Sequence, residues 1–232
     1  MTRELKGVGT GEQGLLRRPP RLGDEVYNAI YSQLMSLKIP PGGRVSVDSL
    51  VRELGVSQTP IREALSRLEA QGLVIKTHLI GYSAAPQLNQ KRLEQLYELR
   101  LLVEPFAAAR AAEAMSEEAI ASLEAIDIEM RSVRNDDARL AYGQFAQSDG
   151  AFHDLIALGS GNALIRETLG RLHTHVHLFR LYFHSRATSE ANAEHALIIR
   201  AIRARDPAGA ESAMREHILR SRTRFMAIFQ GG

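Results

Sequence analysis

The chain has 232 residues, room for one large domain or two small ones, and its 44% hydrophobic and 24% charged content is that of an ordinary globular protein. With no cysteine, disulfides and thiolate chemistry are excluded; no apolar run reaches the roughly 18 residues of a membrane span and no apolar segment follows the basic N-terminus, so no membrane span, no secretory signal and a cytoplasmic location are expected. A net charge of +2 excludes a strongly basic or acidic chain, yet residues 1–87 carry 11 Lys/Arg against 8 Asp/Glu and residues 88–232 carry 18 against 19, so the small positive excess lies in the first third.

Residues 1–20, rich in Gly, Arg and Pro without periodicity, are expected to form a flexible arm. Their glycines are not a phosphate loop, because no Gly-Lys-Ser/Thr follows. A first helix fits about 22–37, with Val26, Ile30, Leu34 and Leu37 on one face, and Ile39-Pro-Pro-Gly-Gly43 stops it. Residues 46–72 then spell two short helices around a tight turn. Val47, Leu50, Val51 and Leu54 form one apolar stripe, Gly55-Val56 turns the chain, and Ile61, Ala64, Leu65 and Leu68 form the second stripe. Leu73–Thr77 and Tyr82–Ala85 read as short strands flanking His78–Gly81. Together these make a winged helix-turn-helix over 21–86.

Such a unit sets the start of its second helix into the DNA major groove. Gln58, Thr59 and Arg62 stand where base-edge contacts are needed; Ser57 is either a further contact or a helix cap, and Thr59 is a second candidate cap. Arg44, Arg52 and Arg67 are read as phosphate anchors or as solvated charges, and His78 and Gly81 as the tip of the wing.

Pro86-Gln-Leu-Asn89 marks the join to a second domain over 87–232. Helices are predicted there at about 89–113, 116–134, 137–158, 161–184, 189–204 and 207–229, with short connections that imply an antiparallel bundle of six to seven helices. The whole chain is therefore mainly α.

The bundle carries polar residues on apolar faces. Asp149 and His153 share a helix face with Phe145, Phe152 and Ile156; His195 lies with Ile198, Ile199 and Ile202; His217 lies with Ala210, Ala213, Met214 and Ile228. Alone, each histidine reads as a core imidazole bonded to a carbonyl, or with Asp149 as an Asp–His pair. Together, one carboxylate and three imidazoles suit a divalent ion such as Zn, Ni or Mn. His173, His177, Arg180 and His184 align as a second stripe, either a cavity wall offering cationic donors to an acidic effector or a half-exposed boundary, whereas His175 points elsewhere and is expected in solvent. Arg100, one turn before Glu104, is half of an ion pair or a guanidinium that grips a carboxylate, and Glu194 is a candidate orienter of a metal ligand.

The segment PPGGRVSVDSLVRELGVSQTPIREALSRLEAQGLV resembles the DNA-binding signature of the GntR superfamily of bacterial transcription regulators. DGAFH, Glu194-His195 and His217 resemble the metal-ligand pattern of its FadR-like branch, whose effector domain is the all-helical FCD domain. The resemblance spans about 22–229 and implies a homodimer on a near-palindromic double-stranded operator. It also implies that a small organic acid, bound at the metal held by Asp149, His153, His195 and His217, alters operator affinity. Where relatives commonly begin the recognition helix Ser-Arg-Thr-Pro, Gln58 replaces the Arg, and Gln suits adenine where Arg suits guanine. The wing lacks the Arg or Lys that many relatives carry there. The branch founder, a fatty acyl-CoA sensor, does not use this quartet, so acyl-CoA is not implied. The reading is a ligand-responsive regulator, a repressor of a catabolic operon and not an enzyme. The alternatives are a dedicated metal sensor and a metal-dependent hydrolase, the latter needing a general base for which Glu104 is the apparent buried carboxylate.

Overall fold

The computed structural model describes residues 22–132, 138–181 and 185–230. The arm expected over 1–20 lies outside them, as does His184.

Helix α1 (Leu22–Met35) buries Val26, Tyr27, Ile30, Tyr31, Leu34 and Met35, a stripe at helical spacing. It stops where Leu37 turns left-handed (φ 58°) ahead of the Pro-Pro-Gly-Gly turn. Helix α2 (Val47–Leu54) starts at Ser46, whose hydroxyl accepts the Ser49 N–H at 3.2 Å, and ends at Gly55 (φ 68°). Helix α3 (Gln58–Ala70) packs on α1 through Ile61, Ala64, Leu65 and Leu68. The hairpin β2 (Val74–Thr77) and β3 (Gly81–Ala84) follows as expected. A third strand, β1 (Arg44–Val45), was not visible in the sequence, since two residues show no periodicity; it exists because Arg44 pairs with Ser83 and Val45 with Tyr82, giving the antiparallel order β1-β3-β2.

Beyond the join come seven described helices: α4 (Gln90–Ala114), α5 (Glu117–Ser132), α6 (Ala138–Gly159), α7 (Ala163–Leu172), α8 (Thr174–Leu181), α9 (Ser185–Arg203) and α10 (Pro207–Met226). Asn89 caps α4 and Asp206 caps α10, each side chain accepting a backbone N–H of the first turn. Helix α4 is the axis, packing on α10, α6 and α9. It runs through Pro105, which removes one helical hydrogen bond just after Glu104.

The single helix expected over 161–184 is two. His173 adopts a left-handed conformation (φ 47°), its N–H bonding the Gly170 carbonyl, and the axis breaks there. No residue of α7 is fully buried, whereas α8 buries Leu178 and Phe179. The break sets α8 against α6 and α1. Both domains therefore meet along α1, α6 and α8, with Tyr31 donating across the seam to the Gly143 carbonyl at 3.0 Å.

Candidate functional site

Because α3 commits its apolar face to the core, Ser57, Gln58, Thr59 and Arg62 are left exposed on its first two turns. Ser57 holds the cap position in extended backbone, but its hydroxyl makes no capping bond, and Thr59 lies inside the helix; neither caps α3. Gln58 Nε2 donates to Asp48 Oδ1 (3.1 Å) and Arg62 Nη2 to Gln58 Oε1 (3.3 Å), so the two candidate base readers are linked to each other and to α2. Arg44 is exposed on β1. Arg67 has partners inside its own domain, Asp24 at 2.9 Å and the Tyr27 ring at 4.2 Å. At the wing tip His78 is exposed beside Leu79 and Ile80, 94% and 72% exposed, and Gly81 has a φ of 109° that a larger residue would adopt only under strain.

In the bundle the four expected ligands converge. The available nitrogens of His153, His195 and His217 lie within 4.8 Å of one another, and Asp149 Oδ1 stands 3.3 Å from His195 Nε2. Three of the four are held by a neighbour. Glu104 Oε2 accepts His153 Nδ1–H at 2.7 Å, Glu194 Oε2 accepts His217 Nδ1–H at 2.8 Å, and Asp149 Oδ2 accepts His175 Nδ1–H at 2.6 Å. The carboxylates are themselves fixed: Glu104 by Arg100 Nε (2.6 Å), Glu194 by Arg224 Nη1 (2.6 Å) and Nη2 (2.9 Å). Arg100 is therefore the buried ion-pair half of its two readings, and Glu194 orients His217, not the adjacent His195.

What remains unbonded points to a guest. Among the described residues Asp149 Oδ1, His153 Nε2 and both ring nitrogens of His195 are buried with no hydrogen-bond partner, although His195 is 0% exposed and stacked on Phe152 at 4.2 Å. Burial pushes the His153 imidazole down to about 4 and His195 well below its usual range, so both are neutral with a lone pair to give. Burial opposes ionisation of Asp149, but His175, bonded to the carboxylate, counters it, and the carboxyl stays well below its ordinary range. For Glu104, Arg100 and His153 likewise outweigh burial. Neutral imidazoles, ionised carboxylates and a carboxylate behind two of the histidines are what a divalent ion requires, so the residues fit one.

Three placements depart from expectation. His175 is not in solvent: the break at His173 turns it inward, and its ring stacks on His153 at 4.5 Å while it bonds Asp149. Arg180 is 2% exposed and donates through Nη2 to the Ala85 carbonyl at 2.9 Å, at the join between domains. His177 faces the same seam, where His177 and His173 crowd Gly72 of the DNA-binding domain. Of the expected effector residues, His173 lines a cavity beside the cluster; His177 and Arg180 do not. The orienting bond of Glu104 to His153 was missed, since it joins two helices far apart in sequence.

Comparison with known proteins agrees with this layout. Residues 22–81 match the bacterial regulatory proteins of the gntR family, and residues 95–220 match the FCD domain. The transcriptional regulator LutR of Bacillus subtilis is 31% identical over 203 residues, covering 78% of this chain and 90% of LutR. A probable D-xylose utilization operon repressor of Paenarthrobacter nicotinovorans is 28% identical over 201 residues, 85% of each chain. Among solved structures, E. coli McbR/YncC superposes with a TM-score of 0.63 at 21% identity over 91% of this chain and 99% of that one, a likeness of fold. The winged domain that exposes Gln58 and Arg62 is thus a DNA-binding domain, the helical bundle is an FCD domain, and the chain belongs to the GntR family of bacterial transcription regulators.

Proposed function

We propose that this regulator is a cytoplasmic homodimer that binds a near-palindromic operator and represses transcription until a small organic acid occupies its bundle. Asp149, His153, His195 and His217 would hold a divalent ion, Zn, Ni or Mn. The ion, when bound, supplies a Lewis-acidic seat for a carboxylate. The chain's own residues do the rest. Glu104 and Glu194 fix the tautomers of His153 and His217 so that each presents Nε2. Phe152 keeps His195 in place and water out. The exposed turns of α3 carry base recognition, with Gln58 suited to adenine, and Arg44, His78 and Gly81 flank them as backbone contacts. The relative named as a probable operon repressor supports repression as the direction of control.

The observation that carries this reading is His195, wholly buried with neither nitrogen bonded among three other unspent or half-spent ligands. The test is elemental analysis of the purified chain, followed by titration of a duplex from its own upstream region at several salt concentrations, with and without metal. Stoichiometric metal, lost in His195→Ala, and salt-dependent saturable binding are expected. An absence of salt-tuned binding in every metal state would refute it. The same cluster supports a second reading, in which the ion itself is the signal. Metal alone changing duplex affinity many-fold, with no organic acid present, would favour that one.

A further inference from the structure

A cavity of about 380 Å³ lies in the seam between the two domains. Glu104, His153 and His175 line its bundle end, and Tyr27, Tyr31 and Gln71 of the DNA-binding domain line the other. The first end meets the ligand cluster through His153, whose Nε2 is unbonded. The volume falls in the range of small-molecule sites, roughly 300–1,000 Å³. A two-carbon acid, only a few times the roughly 30 Å³ share of one water, leaves most of it empty.

The far wall is tied to the recognition helix. Tyr27 Oη donates to Gln71 Oε1 at 2.5 Å, and Gln71 closes α3, its N–H bonding the Arg67 carbonyl while the Gly72 N–H bonds that of Glu69. Arg67, in the last turn of α3, lies over the Tyr27 ring at 4.2 Å, and Tyr31 stacks on that ring at 5.9 Å. A group that takes the Tyr27 hydroxyl therefore pulls on the end of α3 through two side chains. The polar groups here are neutral: burial raises the Tyr27 hydroxyl above its usual range, Gln71 and Gln147 are amides, and the nearby Arg67 is paired with Asp24. This end suits a hydroxyl or another neutral polar group, not a second carboxylate.

We propose that the effector spans this cavity, a carboxylate whose hydroxyl-bearing tail reaches Tyr27 and Gln71, so that the DNA-binding domain itself touches the ligand. The proposal rests on the carboxylate reading above and adds the tail, its chemistry and its contact with α3. A short acid occupies only the bundle end and leaves the Tyr27–Gln71 bond intact. A hydroxylated acid competes for that bond and so changes how α3 is held.

The test uses the zinc-loaded full chain and three probes: acetate, n-pentanoate and D-ribonate. Calorimetry reads binding and the anisotropy of an operator duplex reads the response. D-ribonate is expected to bind about tenfold more tightly than n-pentanoate. Tyr27→Phe keeps the ring packed, and it should lower D-ribonate affinity about tenfold, abolish most of its effect on the duplex, and leave acetate binding unchanged. Equal D-ribonate affinity and duplex response in wild type and Tyr27→Phe, n-pentanoate binding as tightly as D-ribonate, or acetate binding without D-ribonate binding would each overturn the proposal and spare the metal–carboxylate reading. Failure of all three probes to bind, or binding that persists in His195→Ala, would overturn that reading and this proposal with it.

Discussion

His195 sits at the centre of the chemistry because folding gains nothing evident from it. A buried polar group left without a partner costs about 1–3 kcal/mol, and an apolar replacement of similar size removes that cost. His195→Leu should therefore stabilise the metal-free chain by about 1 kcal/mol in denaturant melts while abolishing zinc uptake. Equal destabilisation with and without zinc would mean a structural histidine. His177 is a different case. Its burial, aided by Arg180, His173 and Arg92, depresses it to about 4 from an ordinary 6.5. A histidine depressed in the folded state contributes stability that is complete above 6.5 and is lost as pH falls towards 4, because the unfolded chain takes the proton first. His177→Gln should flatten the fall in the urea midpoint between pH 7 and pH 5; an unchanged slope would assign that fall to other groups. Asp149, His153, His195 and His217 were legible as a set because a polar residue on an apolar helical stripe is a local anomaly. Glu104 and Arg224 were not legible as partners, because their bonds to His153 and Glu194 cross between helices that sequence spacing does not relate.

Among the elements, the helix-turn-helix was the most readable, since its apolar period and the Gly55 turn act within a few residues. The exposed start of α3 carries the corresponding prediction. Gln58→Ala or Arg62→Ala should weaken operator binding by about 1–3 kcal/mol in anisotropy titrations, and relax discrimination at one base pair more than at others. A uniform loss across all sequences would recast them as backbone contacts. The α7–α8 break was unreadable for the opposite reason. Nothing in Leu172-His173-Thr174 forbids a continuous helix, and His173 takes its left-handed conformation where its ring and that of His177 meet Gly72 across the seam. A Cβ on Gly72, itself at φ 69°, would stand 2.7 Å from the His173 ring. Gly72→Ala should thus cost about 1–2 kcal/mol by thermal melting, from backbone strain and the close contact together. A neutral result would show that the seam yields easily.

At the scale of the whole molecule, two domains share one polar seam. The order of domains followed from sequence because each has its own periodicity, helix-turn-helix with a hairpin first and long amphipathic helices after. How they lean on one another did not, because Tyr31 to Gly143 and Arg180 to Ala85 are long-range bonds set by tertiary packing. That seam is where occupancy of the bundle can reach α3. An effector shifts operator affinity only by its differential affinity for the two arrangements, typically about 5–150-fold. The most direct measurement is the dissociation constant of the zinc-loaded full chain for its upstream duplex, at fixed salt, with and without saturating D-ribonate. The account predicts a shift of at least about fivefold, absent in His195→Ala. An identical constant in both conditions, with D-ribonate shown by calorimetry to be bound, would contradict it.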